Sequence, residues 1–128
     1  MANNAFLLDT HIFIWAMEKS MRLPEEIKSI IVDPQNKILI SVASIWEIVI
    51  KKTTKQAKFN FDLETSIQQA GLEVLPIQVS HVLNLGDLPN YHKDPFDRIL
   101  VAQAKVENLT IITTDKKIWR YDISLVKA

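Results

Sequence analysis

Ala5-Phe6-Leu7-Leu8-Asp9, near the start of the 128-residue chain, decides how the rest is read. Four consecutive apolar residues describe a buried strand, and the run stops at a carboxylate. Outward from it, helical and strand patterns alternate. Residues 10–18 read as a helix. Pro24, Glu25 and Glu26 open a second helix with Ile27, Ile30 and Ile31 at helical spacing, and Pro34 closes it. Residues 37–41 (Lys-Ile-Leu-Ile-Ser) read as a strand, and Ser44 starts a helix to about residue 52. After a polar connection over 55–61 come a helix over 62–70 stopped by Gly71, a strand over 72–77 and a short helix over 79–85. A loop over 86–93 precedes Asp94-Pro95, which opens a long helix to about Asn108. Residues 109–113 and 122–126 close the chain as strands. Such alternation predicts an α/β fold: one domain over 1–128, with a central parallel sheet of about five strands and helices on both faces.

Composition narrows the chemistry. Hydrophobic residues make up 48% of the chain, enough for one packed core. Fifteen basic residues balance fifteen acidic ones, so no bulk charge draws the chain to nucleic acid. Cysteine is absent, which excludes disulfides, thiolate catalysis and Cys-ligated zinc. The two glycines, Gly71 and Gly86, belong to no phosphate-cradling loop. The longest apolar run, Ile12 to Met17, is far shorter than the roughly 18 residues of a membrane span. Met1-Ala2-Asn3-Asn4 carries no basic leader, so a cytoplasmic location is expected.

Acids mark the ends of these strands. Asp9 terminates the first, Glu47 lies early in the helix after the second, Asp94 and Asp97 open the long helix, and Asp115 follows the fourth strand. In a parallel sheet, ligands bind beyond the carboxyl ends of the strands, so these side chains are expected on one edge. Clustered carboxylates stay ionised when a cation neutralises them, and a donor set of oxygens selects Mg²⁺ or Mn²⁺ over zinc. The chemistry implied is metal-dependent phosphodiester hydrolysis. Each acid also has a local reading. Ser44-Ile45-Trp46-Glu47 fits a capping box, and Glu47 stands four residues before Lys51. Asp94 before Pro95 is an N-cap, Asp97 favours the helix dipole, and Asp115 can cap the segment 116–120.

Four blocks together resemble the PIN-domain ribonucleases, and among them the VapC-type toxins of bacterial toxin–antitoxin modules. They are Leu7-Leu8-Asp9-Thr10-His11 followed by Ile14-Trp15; Ser41-Val42-Ala43-Ser44-Ile45-Trp46-Glu47-Ile48; His92-Lys93-Asp94-Pro95-Phe96-Asp97-Arg98-Ile99-Leu100; and Ile111-Ile112-Thr113-Thr114-Asp115. They stand in the family's order and span nearly the whole chain. The resemblance implies a Mg²⁺- or Mn²⁺-dependent endoribonuclease whose products carry a 5′-phosphate and a 3′-hydroxyl. It implies Asp9, Glu47 and Asp97 as the main metal-binding acids and Asp115 completing the pocket. Thr113 would be a polar helper, with Asp94 and Thr10 in support. It further implies an RNA substrate, a homodimer and a cognate antitoxin protein bordering the groove. A DNA- or flap-directed nuclease and a non-catalytic binding module are the competing readings.

Lys51, Lys52, Lys55 and Lys58 form a local basic run suited to phosphates, or to a helix C-terminus. Arg98 suits an ion pair with an acid, or a phosphate. His11 reads as packing at a helix start, and Trp15 and Trp46 as core or dimer face.

Overall fold

The computed structural model describes residues 4–55, 58–59 and 61–128. The polar connection expected over 55–61 and the leader reading at 1–4 therefore fall partly outside the described residues.

Among the described residues five strands form one sheet: β1 (Ala5–Leu8), β2 (Lys37–Ser41), β3 (Glu73–Leu75), β4 (Thr110–Thr113) and β5 (Leu125–Lys127). Their order is β3-β2-β1-β4-β5, and every pairing is parallel. Among the same residues six α-helices accompany them: α1 (Thr10–Met17), α2 (Glu25–Val32), α3 (Val42–Thr53), α4 (Leu63–Gln69), α5 (Val79–Asn84) and α6 (Pro95–Glu107). The expected α/β architecture is thus observed.

The unbroken apolar runs are explained by burial on both faces. Leu7, Leu39 and Ile111 point to one side, where Leu100, Val101 and Ala104 of α6 cover them. Their neighbours Leu8, Ile40 and Ile112 point to the other, against Ile12 and Phe13 of α1, Ile27 of α2, Ile48 of α3 and Ile67 of α4. The period of two along each strand separates the two cores.

Helix boundaries follow local chemistry. Asp94 caps α6 by accepting hydrogen bonds from the Phe96 and Asp97 amides, at 2.8 and 3.3 Å, with Pro95 inside the first turn. Asn108 ends that helix in the left-handed region (φ 56°). Gly71 (φ 68°) follows α4, as expected. Three elements differ from the sequence reading by more than one residue. Helix α3 begins at Val42, not Ser44, because Ser41 at the end of β2 caps it: its hydroxyl accepts from the Ala43 amide at 3.0 Å. The third strand shrinks from 72–77 to Glu73–Leu75, and the fifth shifts from 122–126 to Leu125–Lys127. The latter pairs only where Ile111, Ile112 and Thr113 offer register partners, and Ile118–Arg120 and the turn after it occupy the residues before it.

Leu100 is fully buried at the centre of α6. Leu100→Ala is expected to lower the unfolding free energy by about 2–5 kcal/mol through lost burial and a residual cavity, read from urea denaturation. A loss below about 1 kcal/mol would contradict this account of α6 as the main cover of that face.

Candidate active site

The strand order reverses direction between β1 and β4. The chain lays β2 and β3 to one side of β1, then returns to place β4 and β5 on the other. At such a switch point the loops leaving neighbouring strands diverge and open a crevice. Asp9 leaves β1 there and Asp115 follows β4, while the Asp9 amide is still held by the Ile112 carbonyl at 3.1 Å.

Asp9 is only 3% exposed. One oxygen, Oδ1, caps α1 by accepting from the Ile12 amide at 2.8 Å. The other accepts from the Thr113 hydroxyl, whose oxygen in turn accepts from the Asp115 amide at 2.9 Å. Thr113 therefore ties the first acid to the last. Thr10 does the same for Glu47: its hydroxyl donates to Glu47 Oε1 at 2.8 Å and stands 2.9 Å from the Ser44 hydroxyl. Lys51 Nζ pairs with Glu47 Oε2 at 3.0 Å.

His92 links the remaining two acids. Its Nε2 lies 2.8 Å from Asp115 Oδ2 and 3.1 Å from Asp97 Oδ2. Asp115 Oδ1 accepts from the Lys117 amide at 2.8 Å, so both its oxygens are engaged. Potential ligand atoms of His92, Asp97 and Asp115 lie within 4.8 Å of one another, close enough to surround one cation.

The acids differ electrostatically. Burial pushes the Asp9 carboxyl above the usual carboxylate range, against the opposing hydrogen bonds from Thr113 and Ile12. Asp97 is raised to about 7, first by burial and then by the negative charges of Asp94, Glu47 and Asp115, with His92 pulling the other way. Burial also raises Asp115, but hydrogen bonds from His92 and the Lys117 amide outweigh it, and its carboxyl sits below the usual range. Asp97 thus feels the crowding most.

The PIN domain family model matches residues 6–123. The chain belongs to the PIN-domain family. No curated protein sequence matches it significantly. Among solved structures, this PIN domain is similar to VapBC2 from Rickettsia felis bound to a DNA fragment from their promoter (19% identity, 97% of this chain and 98% of that one, TM-score 0.68). It is similar to VapBC-1 from nontypeable Haemophilus influenzae (20%, 96% and 97%, TM-score 0.68) and to FitAcB from Neisseria gonorrhoeae (20%, 95% and 96%, TM-score 0.67).

Several expectations are corrected. In this PIN domain Glu47 forms no capping box with Ser44, because α3 starts two residues earlier and Glu47 lies in its second turn, bonded to Thr10 and Lys51. Arg98 forms no ion pair among the described residues. Its guanidinium donates instead to the carbonyls of Leu85, Pro89 and His92 and to the Tyr121 hydroxyl, at 3.0 to 3.4 Å. Lys51 is engaged by Glu47, whereas Lys52, Lys55 and Lys58 are exposed at and beyond the end of α3. His11 is exposed beside Trp15 rather than packed in the core, and Trp46, 56% exposed and edge-on to Phe96 at 5.0 Å, lies outside the core, which removes only the core half of its reading. The residue whose role the sequence reading missed is His92. Its signal was proximity: an imidazole two residues before a capping aspartate and five before Asp97.

An aspartate whose carboxyl is raised on folding binds more protons in the folded state. It therefore costs stability as pH rises from the unfolded value of 3.8 toward about 7. In the metal-free protein, Asp97→Asn should melt about 4 °C higher than wild type at pH 8, equivalent to about 1 kcal/mol for a domain of this size. The gain should vanish near pH 4. A thermal melt series showing a constant difference across pH would contradict the charge crowding at Asp97.

Proposed function

We propose that this PIN domain, over residues 1–128, is the Mg²⁺- or Mn²⁺-dependent endoribonuclease toxin of a toxin–antitoxin module, acting in the cytoplasm. One observation carries the reading: carboxylates from four separate stretches of chain, Asp9, Glu47, Asp97 and Asp115, meet around the switch point of a parallel sheet. Structural crowding alone gives no reason to gather them, because Glu47 and Asp115 add repulsion to Asp97 and Asp115 adds it to Asp9.

The residues present fit a divalent cation. The donors are carboxylate oxygens, and the raised Asp97 marks a pocket whose negative charge its own donors do not fully neutralise. When bound, the cation supplies a Lewis acid that lowers the pKa of a water and stabilises charge on the phosphoryl group. Asp9, Glu47 and Asp97 would hold it. Asp115, whose carboxylate lies with that of Asp97 in one cluster, would complete the pocket. Thr113 and Thr10 fix the carboxylates of Asp9 and Glu47, so little reorganisation is left for binding. Lys51, beside Glu47, and the exposed Lys52 and Lys55 would contact the RNA phosphates. Asp94 supports the site by fixing the start of α6.

The partners follow from the same family reading. A toxin–antitoxin complex from Klebsiella pneumoniae shares this fold, and a cognate antitoxin would border the groove of this chain too. On α5, Val79, Val82 and Leu83 are 75, 51 and 71% exposed, an apolar strip that suits contact between two copies. Among the described residues no helix is long and apolar enough to cross a membrane.

Purified protein with Mg²⁺ is expected to cleave RNA in preference to DNA, and chelation should stop it. Asp9→Asn and Asp97→Asn should each reduce the rate at least about 100-fold while the far-ultraviolet circular dichroism stays unchanged. Full activity in both variants would reject the assignment, and preference for DNA or flap substrates would redirect it. Separately, Leu83→Asp should convert a dimer to a monomer by light scattering; a monomeric wild type would remove the dimer from the proposal.

A further inference from the structure

His92 is held at every polar atom. Its backbone amide donates to the Tyr121 hydroxyl at 3.1 Å, and that hydroxyl donates to the Pro89 carbonyl at 2.9 Å. Its carbonyl accepts from Arg98 at 3.4 Å. The Asp94 amide donates to its Nδ1 at 3.1 Å. A nitrogen that accepts a hydrogen bond carries no proton, so the ring's proton resides on Nε2. That N–H faces Asp115 Oδ2 and Asp97 Oδ2 together. The side chain is only 9% exposed, so the ring is buried against these partners rather than open to water.

These contacts argue against the simplest role for an imidazole among acids. A ligating Nε2 must give up its proton, and the neutral ring would then carry it on Nδ1. There it would oppose the Asp94 N–H, donor against donor. We propose that His92 is not a ligand but a positioning residue of the acidic pocket. Fixed as an Nε2–H donor by the Asp94 amide, it clamps one oxygen each of Asp97 and Asp115 and presents the pair to a divalent cation. The cap of α6 and the clamp are one device, since Asp94 uses its side chain to start the helix and its amide to set the ring. Among the described residues no hydrogen bond engages the second Asp97 oxygen, which is left for the cation. This inference rests on the metal-binding reading of the pocket and adds a residue to it.

Two measurements test it without relying on cleavage. Long-range ¹H–¹⁵N correlation on the metal-free wild type should show His92 protonated on Nε2 and bare on Nδ1; the reverse tautomer overturns the proposal. In Mn²⁺ titrations followed by electron paramagnetic resonance, His92→Phe should bind Mn²⁺ about 10–100-fold more weakly, the usual loss when an outer hydrogen-bond partner is removed. His92→Gln, which restores an N–H donor, should recover most of it. Unchanged affinity in His92→Phe overturns the inference alone. Should His92→Phe fail to fold, spin-echo spectra of Mn²⁺-loaded wild type decide: no directly bound imidazole nitrogen is expected, and finding one overturns the clamp. A wild type that binds no Mn²⁺, indistinguishable from Asp9→Asn, removes the metal reading itself, and this inference with it.

Discussion

Like charges brought together at the end of a parallel sheet repel, and the structure around the switch point is arranged to answer that repulsion with donors. Asp9 is met by the Ile12 amide and the Thr113 hydroxyl, Glu47 by Thr10 and Lys51, and Asp115 by His92 and the Lys117 amide. Asp94 receives two amides at the start of α6. Asp97 receives the least, sharing only the His92 N–H, and burial together with the charges of Asp94, Glu47 and Asp115 pushes its carboxyl up to about 7. The site is stable because all but one of its acids are satisfied, and reactive toward cations because that one is not.

Rigidity behind the site comes from the two cores and from a polar seam through one of them. Gln103, fully buried on the sheet-facing side of α6, accepts from the Ser41 hydroxyl at 2.6 Å and donates to the Pro76 carbonyl at 3.2 Å. His81, also fully buried, lies 2.8 Å from Glu107. Unpaired, such groups would be costly; paired, they fix the position of α6 relative to β2 and α5 in a way that interchangeable apolar contacts do not. Because Ser41 also caps α3, the helices carrying Glu47 and Asp97 share an anchor.

Much of this was legible in the sequence where the signal is local. The apolar run 5–8 and the Asp94-Pro95 start each depend on a few adjacent residues and were placed correctly, and the run 109–113 came within one residue of the observed Thr110–Thr113. Errors arose where two local readings compete or where the deciding partner is remote. Ser41 and Ser44 are both good caps, and the choice between them turned on Thr10, 34 residues from Ser44 in sequence, which draws Ser44 into a buried contact. Arg98 reads as a surface cation by charge alone; only the return of the chain segment 85–92 over α6 surrounds it with carbonyls. His92 escaped notice because hydrogen-bonding to two carboxylates leaves no periodic trace. The acidic constellation itself was readable only as a set, since every member also has an adequate local explanation.

Two of the connections at the site are as short as a chain permits. A single residue, Asp9, separates β1 from α1, and none separates β2 from α3. An extra residue after Ser41 would turn α3 by about 100° and swing Glu47 off Thr10. Lengthening either of these two connections would therefore disturb the acids, and tolerance for insertions is expected in longer stretches such as those between α3 and α4 and between α5 and α6. Diversity of target choice in a scaffold of this kind has to be written in the margins, with the chemistry at the centre left untouched.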